Sequence, residues 1–202
     1  MSYELLWLSA LIIYVIFYTW YVGFKGPLSK EEVESYMAKA AQLGLKEDDI
    51  ETLRTFGLRD DGKDFLMMNN ITFAPKPTDP NALNPVEVMA NYAKPFMKLI
   101  LRHAGHPVMT GIALSRSIEA WGIDEEAVSK WSVAGLVRYR SRRDLFEIMV
   151  SSVFGESHGF KKQALIKSFA YPVRNGGGFL SVPIWVALAI SNIAAFLHIA
   201  LF

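Results

Sequence analysis

The sequence predicts an α+β protein in which one β-α-β-β-α-β domain is flanked by two transmembrane helices. Three observations predict it. Leu5–Phe24 and Phe179–Phe202 are apolar runs with almost no charged residues, while the rest of the 202-residue chain is ordinarily charged. The stretch Trp131–Val173 reads strand, helix, strand. Residues 132–140 are β-formers and small residues, Ser141 and Asp144 open a helix, Leu145, Phe146, Met149 and Val150 follow at helical spacing, and Ser168–Val173 closes it as a strand. Another strand, helix, strand precedes it, and two such units make a split βαβ sandwich.

Composition sets the bounds. Hydrophobic residues make up 51% of the chain and the formal net charge is +1, so bulk nucleic-acid binding is not expected. With no cysteine, a disulfide framework and a thiolate metal site are excluded.

The first element, Leu5–Phe24, has about the 20 residues a bilayer crossing needs. Trp7 stands near one end and Trp20 and Tyr21 near the other, where interfacial aromatics belong. A cleaved secretory signal is disfavoured, because Met-Ser-Tyr-Glu carries no basic residue and no small-residue cleavage site follows. Ser29 and Glu32 then form a capping box for a helix lined by Val33, Tyr36, Met37, Ala40 and Ala41. A second helix follows from about Glu47 to Phe56. This pair, residues 29–57, is expected between the membrane and the domain proper at 60–173.

Asp60-Asp61-Gly62 is a turn. Asp64–Phe73 is the first strand, with apolar residues on both faces, so both are expected to be covered. Residues 74–84 are a proline-containing loop. Asn84-Pro85-Val86-Glu87 starts a helix through N-cap, proline at the first position and glutamate at the third. Its buried stripe is Met89, Tyr92, Ala93, Phe96, Met97 and Ile100; Pro95 lies inside it, and Gly105 closes it. Pro107–Ala120 is expected as the second strand, and 132–140 as the third. The following helix is expected to break near Gly155, resume from Glu156 to Ile166, and give way to the fourth strand. Asn175–Gly178 is a flexible linker into the second membrane run, Phe179–Phe202. There Ala187, Ser191 and Ala195 are four apart and form a candidate helix-packing face. Asn192 needs a partner helix or a wet cavity.

Lys25 and Lys30 follow the first run, Lys161, Lys162, Lys167 and Arg174 precede the second, and the outer flanks have no basic residue. Positive-inside places the domain in the cytoplasm and both termini outside, in a two-pass arrangement whose first partner is the lipid bilayer.

The element order is that of a ferredoxin-like layer, in which helices cover one face of an antiparallel sheet. The other face needs a second cover, either a homodimer partner, the helical pair or a foreign subunit of a membrane complex. The phrases Asp-Asp-Gly-Lys-Asp-Phe-Leu-Met-Met-Asn-Asn and Trp-Ser-Val-Ala-Gly-Leu-Val-Arg-Tyr-Arg-Ser-Arg-Arg-Asp resemble the dimeric α+β barrel superfamily, over roughly residues 60–173. They are most similar to its small bacterial branch of unknown function, and the two apolar runs are then expected in a bacterial inner membrane. In that branch proline is usual where this chain has Arg140. The resemblance implies a two-fold barrel dimer. The superfamily includes cofactor-free monooxygenases, haem-binding enzymes and plain binding modules, so fold is implied more narrowly than function.

Candidate chemistry is sparse. No nucleotide loop and no Gly-x-Ser-x-Gly elbow is present. His103 and His106 straddle Gly105, so a cap histidine and a turn histidine are favoured over a metal pair, and no metal or cofactor is expected. Arg138, Arg140, Arg142 and Arg143 are the most unusual cluster. Arg142 and Arg143 open a helix, where the dipole disfavours cations. Asp144 and Glu147 are the plain compensators, and an anionic ligand or lipid headgroup at Arg140, Arg142 and Arg143 is the sharper alternative. Arg138 needs a partner on its strand face, for which Asn70 is a candidate. The leading expectation is a non-enzymatic membrane module that dimerises or assembles with a membrane protein. The alternatives are an enzyme on a lipophilic small molecule, with Asn70, His103, Arg138 and His158 as ligand-binding candidates, and a haem-binding subunit using His103 or His158.

Overall fold

Period-two alternation and β-branched or aromatic content put four strands of the central chain into one antiparallel sheet: β1 (Phe65–Phe73), β2 (His106–Ile112), β3 (Val133–Tyr139) and β4 (Leu165–Arg174), in the order β2-β3-β1-β4. The computed structural model describes residues 2–77, 82–122, 124, 130–176 and 181–202. Seven helices are present among them: α1 (Tyr3–Val22), α2 (Lys30–Gln42), α3 (Glu47–Leu58), α4 (Pro85–Arg102), α5 (Arg142–Met149), α6 (Ser152–Ala164) and α7 (Val182–Leu201). The chain divides into a central unit, Gly26–Arg174, and a unit made of the two terminal segments.

Most helix starts follow local chemistry. Ser29 Oγ accepts from Glu32 N and the Glu32 carboxylate accepts from Ser29 N, a closed capping box for α2. Asn84 and Glu87 do the same for α4, with Pro85 at its first position. The expected break near Gly155 falls earlier, at Val150–Ser151. Ser151 Oγ accepts from Phe154 N and its hydroxyl donates to Ile148 O, which ends α5 and starts α6 within one turn. Gly155 lies inside α6.

Two strand limits also differ. β2 stops at Ile112 rather than Ala120, because its partner β3 begins at Val133, opposite Ile112; among the described residues the pairing ends just past it, with a hydrogen bond from Ala113 N to Ser132 O at 3.0 Å. β4 begins at Leu165 rather than Ser168, because a bulge at Thr72/Phe73 lets β1 keep pairing down to Leu165.

The sheet has two unlike faces. Phe65 and Met67 of β1 and Val137 and Tyr139 of β3 point to the helices and share one core with Ile100, Leu145, Phe146 and Ile148. Val33, Met37, Ala40 and Ile50 of α2 and α3 belong to that same core. Phe56 of α3 meets Phe65 edge-on at 5.3 Å. The helical pair therefore extends the helix layer and leaves the second sheet face alone. That face carries Leu66 and Met68 of β1, Leu136 of β3, Met109 of β2, and Phe169 and Tyr171 of β4, by register. Within this unit no described element covers it, and Met109 is 52% and Phe169 55% exposed. One end of the face is closed by Trp131 under the Lys167 ammonium at 4.4 Å, and the other by Arg138 and Asp64.

Both ends of the central unit meet at the Asp60–Gly62 turn. Asp60 Oδ2 accepts from Leu28 N at 2.9 Å, a Cβ on Gly62 would stand 3.0 Å from Pro27 N, and Arg174 reaches Asp61 at 3.7 Å. Gly62 has φ of 72°, which glycine adopts without strain.

In the terminal unit, α1 and α7 are each 20 residues long, with mean hydropathy 1.9 and 2.1, and few of their residues are fully buried. A 20-residue helix spans about 30 Å, so both are candidate membrane spans by length and composition. The expected packing face needs adjustment. Ala194 is buried and Ala187, Ile190, Ala195 and His198 are half-buried, whereas Ser191 is exposed. A stripe of strict four-residue spacing drifts about 40° per step around a helix, whereas alternating threes and fours run straight. Asn192 finds its partner in its own helix, donating to Leu188 O at 2.7 Å. His198 lies 6.0 Å from the ring of Tyr3.

Candidate functional site

The densest polar cluster lies where the C-terminus of α4 meets the first turns of α5. His103 is the C-cap residue of α4. Asp144 and Glu147 are three apart on α5 and so share a face. His103 Nδ1 lies 3.0 Å from Asp144 Oδ1 and 3.4 Å from Glu147 Oε2. Asp144 is buried and held from three sides: Arg140 donates Nε to Oδ2 at 2.9 Å and Nη2 to Oδ1 at 2.6 Å, and Ser141 Oγ donates to Oδ2 at 2.6 Å. Burial raises the Asp144 pKa, but hydrogen bonds from Arg140, Ser141 and His103 outweigh it and leave the carboxyl below its ordinary value. Tyr36 of α2 hydrogen-bonds to Glu147, and burial together with that neighbouring carboxylate pushes its phenol up to about 12.

Arg138 is the second polar centre. It is 5% exposed, donates Nε to Asp64 Oδ2 at 2.8 Å and donates Nη1 to Ala104 O at 2.9 Å. The expected partner, Asn70, does not serve it. Arg138 stands opposite Leu66 in the ladder and Asn70 stands opposite Ala134, four residues or about 13 Å further along.

The paired arginines at the start of α5 are compensated from elsewhere in the chain. Arg142 donates to Phe56 O at 2.6 Å, approaches Asp60 at 3.5 Å and lies over the Phe56 ring at 4.4 Å. Arg143 binds Glu32 at 2.8 Å and donates to Gly26 O and Pro27 O. Of the two acids expected to neutralise them, Asp144 is engaged by Arg140. Each of the three candidate headgroup arginines thus has an internal partner, and Arg142 and Arg143 fasten the Asp60 turn and α2 to α5.

His158 lies between α4 and α6. Its ring stacks on Phe154 at 4.7 Å and meets Tyr92 edge-on at 6.1 Å. Burial first, then Lys161 and Lys162, lower its pKa. The four ligand-binding candidates are not gathered round one pocket. His103 and Arg138 lie near each other through the Ala104 carbonyl, Asn70 lies along the open sheet face, and His158 belongs to the helix layer. Sequence reasoning missed Asp64, Glu32, Asp60 and Tyr36, whose roles come from contacts 74, 111, 32 and over 100 positions away in the chain. No motif spacing carries such a signal.

No protein-family model and no curated protein sequence matches this chain. Among solved structures, a structural-genomics protein of unknown function from Rhodopseudomonas palustris is similar, with a TM-score of 0.53 at 16% identity, over 67% of this chain and 98% of that one. A crystal structure of its methylated form gives a TM-score of 0.52 at 16% identity, over 68% and 97%. That likeness concerns the fold alone and is consistent with a small bacterial branch of unknown function.

Proposed function

We propose that this protein is a membrane-anchored, non-enzymatic module of the ferredoxin-like, dimeric α+β barrel type, which pairs with a second copy through its open sheet face. The observation that carries the reading is the face itself: Met68, Met109, Leu136, Phe169 and Tyr171 form an apolar surface beside a complete helix layer on the other side. Contiguous apolar area of this kind marks an association surface. The strand order β2-β3-β1-β4 supports the ferredoxin-like type. Two apolar 20-residue helices support a two-pass anchor, and the basic residues Lys25, Lys30, Lys167 and Arg174 support a cytoplasmic domain in a bacterial inner membrane.

The test is the mass of the full chain in mild detergent, by light scattering, with cross-linking in native membranes. A dimer is expected. Leu136→Glu places a charge at the centre of the face and shifts the protein to monomer with its far-UV circular dichroism retained. A wild-type monomer, or a dimer indifferent to Leu136→Glu, refutes the sheet-paired reading. Orientation is tested separately. The chain has no cysteine, so one introduced at Gly176 reports its side of the membrane without background. Labelling from outside intact cells would overturn the cytoplasmic placement.

A further inference from the structure

We propose that His103, Asp144 and Glu147 form a binding site for one divalent transition-metal ion of the zinc, iron or manganese class. Their ligand atoms all lie within 4.8 Å of one another. One imidazole nitrogen faces two carboxylate oxygens, at 3.0 and 3.4 Å. A single N–H serves the nearer oxygen well, and 3.4 Å to the second is long for a charge-assisted hydrogen bond.

The same separations suit a metal. With ligand bonds of about 2.1 Å, edges of 3.0 and 3.4 Å subtend about 90° and about 110° at a shared ion, within the range from octahedral to tetrahedral. The remaining edge, between the two carboxylates, is at most 4.8 Å, and a shared ion needs it below about 4.2 Å, twice the bond length. One imidazole and two carboxylates favour that class over magnesium or calcium, which prefer oxygen throughout.

The surroundings are those of a held ligand set. The Arg140 fork and the Ser141 hydroxyl fix the Asp144 carboxylate, and Tyr36 hydrogen-bonds to Glu147. Such outer partners orient metal ligands. Two carboxylates, Asp144 and Glu147, stand against one guanidinium, Arg140, an excess of acidic groups that favours a cation. The His103 and Glu147 side chains are 22% and 32% exposed, so an ion has a path in and room for water in its remaining positions. His103 coordinates through Nδ1 in its Nε2–H form, giving up the hydrogen bond to Asp144.

The test uses the full chain in detergent, stripped with a chelator and titrated with zinc by calorimetry and with cobalt by visible absorption. One equivalent is expected, with the cobalt band of a nitrogen-and-oxygen site. His103→Ala and Glu147→Gln should each weaken binding at least ten-fold, while His106→Ala leaves it unchanged. Both weakened variants are checked for native circular dichroism, and Asp144 is left intact because it also closes the start of α5. No binding by the wild type up to 100-fold excess metal overturns the proposal. So does binding that survives both substitutions, which would place the ion elsewhere.

Discussion

Gly57 of α3 is packed so closely against α5 that one methyl group tests whether the helical pair shares a core with the sheet. A Cβ there would stand 2.8 and 3.1 Å from Cε2 and Cζ of Phe146 and 3.0 Å from Cγ2 of Val33. Carbon contacts settle at about 3.5–4.0 Å, so the ring must retreat by roughly half an ångström or more. It has nowhere to go, being 1% exposed among Val33, Ile100 and Ile148. Overpacking of this kind costs about 1–3 kcal/mol, against which alanine regains up to about 1 kcal/mol of helix propensity. Gly57→Ala is therefore expected to destabilise by about 1–2 kcal/mol. Phe146→Leu removes the two ring atoms concerned, at a cost of about 1–2 kcal/mol for lost burial. In that background Gly57→Ala becomes neutral or mildly stabilising, a coupling of at least about 1 kcal/mol. Urea unfolding of the full chain in mild detergent, followed by near-ultraviolet circular dichroism, measures the cycle. Equal destabilisation in both backgrounds would refute the close packing of α3 on α5.

Three further outcomes are expected. Arg138→Met removes the donors to the Ala104 carbonyl and to the Asp64 carboxylate, and lowers stability by about 2–4 kcal/mol in the same unfolding assay; a loss under 1 kcal/mol contradicts this. Asp144 has a folded pKa below its unfolded value, so its contribution is present above an unfolded pKa of about 3.9 and disappears as pH falls through the folded value. The stability gap between wild type and Asp144→Asn should thus be constant from pH 7 to 5 and shrink below about pH 4. His158 has a depressed folded pKa, so the unfolded chain binds its proton first and stability rises with pH through an unfolded pKa of about 6.5. His158→Phe, which keeps the stack on Phe154, should flatten the unfolding midpoint between pH 5 and 7; an unchanged slope rules out His158 as its source.

Features written in neighbouring residues were legible. The capping boxes at Ser29/Glu32 and Asn84/Glu87, the start of β1 after the Asp-Asp-Gly turn, and the two apolar runs each depend on a few adjacent side chains. Features that depend on a partner far along the chain were not. Ile112-Ala113-Leu114 reads as a continuing strand until β3 is seen to start at Val133, and Leu165-Ile166 reads as helix until β1 is seen to reach it. The arginines at the start of α5 read as needing an anion close by in sequence. The acids that meet them, Glu32 and Asp60, come from the opposite end of the domain. Likewise Ser151 decides where α5 gives way to α6, because its hydroxyl donates to Ile148 O and accepts from Phe154 N.

The meeting of both ends of the central unit at the Asp60–Gly62 turn bears on how that unit comes apart. Arg143 clamps the carbonyls of Gly26 and Pro27, and Asp61 meets Arg174, so the first and last residues of the unit are fastened to its interior positions. Chain ends are ordinarily where a fold frays first. Here neither end can peel away without giving up contacts inside the unit, so fraying at its margins is coupled to loss of the packing behind them.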